Sequence, residues 1–172
     1  YPSLKETFSN LEKSLYQFEK ERPLHYGHGD LCFNNILVDP INGKINLIDP
    51  KAEKHPKLNS YGIIDSFYDL SKLNHSFEGL YDSVVNNLFK LTISKKNDFS
   101  FEIYKPAYYD SINSYFREKI IDKRINSEIK ATLTGNLFLS MLPLHIDDQL
   151  RMIGFAIIGS IFLTKGGFKN LI

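Results

Sequence analysis

A single cysteine, Cys32, stands in the 172 residues, so no internal disulfide can form. That usage fits a reducing compartment, and the expected location is the cytoplasm. A surplus of either charge is missing as well: 21 Lys and Arg stand against 20 Asp and Glu. Nucleic acids and acidic membranes are met with basic excess, so neither is an expected partner. No basic, apolar, small-residue leader opens the chain. The most apolar run, MIGFAIIGSIFL at 152–163, is shorter than the roughly 20 residues a bilayer span needs. It reads as a buried helix in which Gly154 and Gly159 either allow close helix contact or simply weaken the helix. Internal repeats, low-complexity tracts and linkers are absent from the sequence. So is a phosphate-cradling G-x-x-x-x-G-K-[ST] loop, because TKGGFK near the end follows a helical run and has the wrong spacing. His25, His28, Cys32 and His55 match no Cys/His zinc pattern, and no base is spaced to activate Cys32 as a nucleophile.

Hydrophobic residues make up 42% of the chain and aromatics 13%, which affords a sizeable core and argues against disorder. The length suits one domain, 1–172, or one large lobe of a bigger protein. The chain opens on Tyr1 and not on methionine, which raises the expectation of further sequence upstream.

The pattern along the chain predicts an α+β protein, mainly helical. Leu4, Phe8, Leu11, Leu15 and Phe18 recur at steps of four and three, the stripe of an amphipathic packing helix. Ser3 with Glu6 forms its capping box, and Pro23 lies just past its end. NILV and KINLI flank DPINGK, whose Asp-Pro and Asn-Gly are turn signals, so two short strands joined by a turn are expected. A polar, Lys-rich loop follows at 51–62, and then a helix in DSFYDLSKLNHS with Asp65 as its cap. A second helix is expected at 76–91, and a strand in FSFEIY, where Phe99, Phe101 and Ile103 alternate. Helices at 107–125, 127–142 and 147–165 complete the pattern, stopped by Gly166-Gly167. Tyr108, Tyr109, Tyr115 and Phe116 read as core ahead of a substrate stack, and His145, Asp147 and Asp148 are candidates to face a substrate pocket, with helix capping by Asp147 and Asp148 the stronger reading.

The stretch YGHGDLCFNNILVDPINGKINLIDP concentrates polar groups where strands begin and end. Asn35 just precedes the first strand and Asp49 follows the second, so an antiparallel pair brings them to one end. Asp30 lies in the preceding loop, which closes a three-residue cluster; Asn34 reads as loop filler. Phosphoryl transfer needs such a set: a carboxylate to orient a hydroxyl, and an amide oxygen with a second carboxylate to hold Mg²⁺ against phosphates. His28, Asp30, Leu31 and Asn35 occur at the H-x-D-L-x-x-x-N spacing of kinase catalytic loops, with Asp49 beyond.

With its later DSFYDLSKL, this stretch resembles the C-terminal lobe of the aminoglycoside phosphotransferase and choline kinase family, small-molecule kinases with a protein-kinase-like fold. The resemblance extends over essentially the whole chain, and PLHIDD before the last helix suits a substrate lobe. It implies that Asp30 is the catalytic base, that Asn35 and Asp49 hold Mg²⁺, and that His28 braces the catalytic loop. It places Asp69 as the acid that buttresses that loop, and Leu37 and Ile48 beneath the base or ribose of ATP. The acceptor would be a small-molecule hydroxyl on a sugar, amino alcohol or aminoglycoside, with surface-polysaccharide metabolism as one setting. Gly29 stands where protein kinases carry arginine, and Pro50 follows Asp49 in place of Phe-Gly, which point to the small-molecule branch. Ile64-Asp65-Ser66 stands where the family has Gly-Asp-Pro. The N-terminal lobe of such kinases, with its glycine-rich loop and lysine, has no counterpart in the 29 residues before Asp30, so the chain alone should bind nucleotide poorly. The rival reading is a kinase-derived module that binds a ligand or partner without turnover.

Overall fold

The computed structural model describes residues 3–18, 23–51, 53–55, 58–93, 99–121 and 125–168. The side chains of Leu4, Phe18 and His55, and positions 122–124 of an expected helix, lie outside the described residues. The architecture is α+β and mainly helical, with six α-helices and four two-stranded antiparallel pairs among the described residues.

Helix α1 (Leu4–Phe18) starts at the expected capping box: Ser3 N–H donates to Glu6 Oε2 and Glu6 N–H to Ser3 Oγ. Of its stripe, Leu11 is buried and Leu15 packs on the helical core, while Phe8 stays exposed. Strand β1 (Leu24–Tyr26) comes next, and then the expected hairpin of β2 (Ile36–Val38) and β3 (Ile45–Leu47). Asp39 fixes that turn by accepting the N–H groups of Ile41 and Asn42.

The segment read as loop between 51 and 62 holds short strands β4 (Lys54–His55) and β5 (Ser60–Tyr61), and β6 (Ile63–Asp65) follows directly. Strand β6 pairs with β1 in the register His25↔Ile64. Neither segment alternates strongly, and the partners are distant in sequence, so local pattern carries no sign of the pairing. Asp65 then caps α2 (Ser66–Phe77) as expected, accepting Phe67 N–H at 2.8 Å.

The helix expected at 76–91 is not formed. Leu80 and Asn87 adopt left-handed backbone, with φ of 55° and 56°, and break the segment into α3 (Tyr81–Val85) and strand β7 (Phe89–Ile93). Strand β8 (Phe99–Ile103) is formed as expected, and β7 is its partner, with Lys90 opposite Glu102 and Leu91 opposite Phe101. The alternation of Phe89, Leu91 and Ile93 is a strand signal that the helical reading overrode.

Helix α4 (Tyr109–Phe116) passes into one wider turn at Arg117–Ile121, α5 spans Ser127–Ser140 and α6 spans Gln149–Lys165. Asp148 caps α6 by accepting Arg151 N–H, and Gly166 ends it in left-handed conformation. Helices α5 and α6 approach backbone to backbone: a Cβ on Gly159 would lie 3.2 Å from Gly135 O. Two clusters flank α5: Phe116, Ile125, Ile129 and Leu133 on one side, Val84, Phe138, Phe155, Ile158 and Phe162 on the other. Each fully buried side chain of that size contributes about 1.5–3 kcal/mol. The core reading holds for Tyr109 and Phe116, whereas Tyr108 and Tyr115 are about two-thirds exposed, at 64% and 65%.

Candidate active site

The loop after β1 is laid directly on the first turn of α2. A Cβ on Gly27 would strike the Ile64 side chain and come within 2.8 Å of Asp69 Oδ2, so only glycine lets the chain pass. Gly29 has φ of 79°, the left-handed region that favours glycine. Asp69, buried on α2, accepts His28 N–H at 2.7 Å and Gly29 N–H at 2.9 Å. One carboxylate thus fixes two successive amides of the loop. The His28 ring joins the loop to the hairpin: Ile48 O lies 2.8 Å from Nε2, and Asp30 N–H donates to Nδ1 at 3.3 Å. A carbonyl only accepts and an amide N–H only donates, so the Nε2–H tautomer satisfies both. Lys51 N–H closes the seam on His28 O.

Asn35 ends a short helical turn (Phe33–Asn35) and is buried. Its Nδ2 donates to Asp30 O at 2.8 Å and to Asp30 Oδ2 at 3.2 Å, which turns its amide oxygen away from that carboxylate. Ile48 N–H donates to Asn35 O, so the hairpin does carry Asn35 and the residue before Asp49 side by side. Asp49 has φ of 55°, unusual for any residue but glycine and tolerated best by Asn and Asp. The structure therefore brings His28, Asp30, Asn35 and Asp69 into one bonded network and places Asp49 at its rim.

Two lysines that the sequence reading did not single out complete the site. Lys72 Nζ lies 2.9 Å from Asp30 Oδ1, and Lys51 Nζ lies 2.9 Å from Asp30 Oδ2 and 3.4 Å from Asp49 Oδ2. Burial pushes the Asp30 carboxyl up, but the two ammonium groups outweigh it and hold the group below its usual value. Bonding to Asp30 raises Lys51 above the ordinary lysine value. Lys72 follows Asp69 by three positions on α2 and therefore shares its face, a sequence signal that was available.

The donors suit a hard cation. Asn35 and Asp49 offer oxygen, which Mg²⁺ prefers, and Mg²⁺ is commonly held by one or two carboxylates plus phosphate oxygens. An ammonium already resting between Asp30 and Asp49 shows that positive charge is accommodated there. Among the described residues no three His, Cys, Asp or Glu side chains converge on a metal position. Leu37 and Ile48 lie on one face of the hairpin by register, 50% and 41% exposed, which leaves apolar surface beside the carboxylates. Cys32 is buried, and burial followed by the Asp30 charge pushes its thiol up, the opposite of nucleophile activation. His145 rests its ring 5.0 Å from that of Phe155.

Beyond Phe33 lies a cavity of about 440 Å³, lined mostly by apolar groups including Phe33, Phe77, Leu80, Tyr108 and Ile112. Asp82 stands in its wall, with burial pushing its carboxyl up. Phe33 N–H donates to Ser76 Oγ, so the cavity and the loop share a wall. No protein-family model matches the chain, and no curated protein or solved structure matches it either.

Proposed function

We propose that this chain is the catalytic and acceptor-side lobe of an ATP- and Mg²⁺-dependent small-molecule phosphotransferase with a kinase-like fold. The observation that carries the reading is the bonded set of Asp30 and Asn35, with Asp49 at its rim, on a loop fastened by Asp69. A core has no use for such groups, and the backbone of Asp49 is held in an unfavourable region at this point of the chain. In the proposed reaction Asp30 orients the acceptor hydroxyl and takes its proton as that oxygen bonds the γ-phosphorus of ATP and the bond from this phosphorus to the β-phosphate oxygen breaks, releasing ADP. Asn35 and Asp49 hold the cation, which when bound neutralises phosphate charge. Lys72 keeps Asp30 turned toward the reacting side, and His28 and Asp69 keep the loop in register. Leu37 and Ile48 offer the base of the nucleotide an apolar face. The cavity behind Phe33 has room for the body of a small acceptor; sugars, amino alcohols and aminoglycosides are the candidate classes.

The alternative, a kinase-derived module that binds without turnover, draws on one observation: both oxygens of Asp30 are engaged by ammonium groups. Phosphate transfer from γ-labelled ATP to a panel of hydroxyl acceptors, assayed with a nucleotide-binding N-terminal lobe present, separates the two, with Asp30→Asn as the control. General-base help is worth about 10²–10⁴-fold, so the variant should lose turnover by that factor at little change in nucleotide affinity. Label transfer by Asp30→Asn at the unsubstituted rate sinks the assignment of Asp30. Saturable ligand binding with no transfer across the panel favours the binding module.

A further inference from the structure

Lys51 follows Asp49 by two residues and sends its ammonium back between two carboxylates, 2.9 Å from Asp30 Oδ2 and 3.4 Å from Asp49 Oδ2. The side chain is 58% exposed, so solvent lies on its other side and it has room to swing out. Lys72 differs in each respect. It holds the other oxygen of Asp30, Oδ1, and its side chain is only 14% exposed.

We infer that Lys51 is a built-in competitor of the divalent cation, filling the space between Asp30 and Asp49 until a metal displaces it. The inference rests on Asp49 being a cation ligand, as proposed above. An ammonium 3.4 Å from Asp49 Oδ2 and a dication held by Asn35 and Asp49 cannot both stay within bonding distance of the Asp49 carboxylate without strong repulsion. Occupation by one therefore releases the other. Lys51 lowers the affinity of the bare site for the cation by the strength of its own two contacts. Mostly exposed ion pairs are weak, so the competition is modest, about three- to tenfold. The arrangement makes Lys51 a residue that sets which cation concentration loads the site, a role distinct from holding substrate.

Equilibrium dialysis of the chain against Mn²⁺, an oxygen-seeking probe that can be counted directly, tests this without any acceptor or turnover. Circular dichroism confirms the fold of each variant. Lys51→Met should bind Mn²⁺ about three- to tenfold more tightly than the unsubstituted chain, while Lys51→Arg, which keeps the charge, should not tighten. Asp49→Asn should weaken binding. Lys72→Met removes a charge from the same carboxylate but leaves the space between Asp30 and Asp49 filled, so it should tighten binding less than Lys51→Met. If Lys51→Met binds no better than the unsubstituted chain, or Lys72→Met tightens binding equally, the competitor role is overturned and the cation reading of Asp49 stands. If neither the unsubstituted chain nor Lys51→Met takes up Mn²⁺ at millimolar concentration, the cation site itself is refuted.

Discussion

His75 is 1% exposed, with its ring between those of Tyr81 and Phe138 at centroid distances of 4.3 and 4.1 Å. Neither ring nitrogen meets a hydrogen-bond partner among the described residues. Burial, helped by the Lys72 charge, pushes its pKa well below 6.5. The sign of the consequence follows. Below the ordinary histidine value the unfolded chain takes up a proton that the folded chain refuses, so stability falls as pH drops through and below about 6.5. The limiting slope for one such group is about 1.4 kcal/mol per pH unit. Urea titrations of His75→Phe between pH 8 and pH 5 should show a flatter acid limb. At pH 8 stability should be equal or higher, since an aromatic of similar shape replaces two unsatisfied nitrogens. An unchanged slope would show that His75 takes up its proton in the fold as readily as in the unfolded chain. Asp30 is governed by the opposite balance, in which charge partners outweigh burial.

Helix α2 is the element on which the site depends. Asp69 and Lys72 lie on one face of it, one holding the loop by its amides and the other holding the carboxylate of Asp30. Asp69→Ala leaves two loop N–H groups without their acceptor, at a cost of about 2–4 kcal/mol, and Asp69→Asn should cost less because one acceptor survives. Chemical denaturation gives both values, and equal losses would mean that the bond surviving in Asp69→Asn contributes nothing. The devices legible in the sequence are those whose partners are close along the chain. Ser3 with Glu6, the Asp39 turn and the Asp65 cap act over two or three residues, and all are formed. Pairing of β1 with β6 joins residues about forty positions apart, and Lys72 reaches Asp30 over a similar span. No local period encodes such contacts. The gap between Phe77 and Phe89 was misread for another reason. Its apolar residues fit a helical stripe, and the left-handed Leu80, a branched side chain with no liking for that conformation, gives no warning of a break.

At the scale of the whole molecule the described residues divide by burial. From 23 to 65 only Cys32 and Asn35 are buried, whereas α2, α5 and α6 carry the two apolar clusters. The helical part also encloses charge: Lys130 Nζ lies 3.8 Å from Glu78 Oε2, each side chain 2% exposed. Removing one member of a buried pair leaves the other uncompensated, so Lys130→Met should destabilise by about 3–5 kcal/mol. Adding Glu78→Leu to that variant should recover much of the loss, and a double variant no better than the single one would refute the pairing. The strands of the site form a thin layer on this helical body. Layers with few buried contacts open locally before the whole unfolds. Hydrogen exchange should accordingly be faster for amides of β2 and β3 than for α5 and α6, and equal protection would contradict this division.

The layering has a practical consequence for anyone screening variants. A melting temperature reports mainly the helical body, so a variant altered only on the exposed hairpin, at Asp49 for instance, can pass such a screen with its site ruined. The amides of His28 and Gly29 donate to a buried carboxylate at 2.7 and 2.9 Å. Short charge-assisted bonds of this kind deshield the proton. Two downfield amide resonances would then serve as an integrity check for the loop, readable with no ligand added.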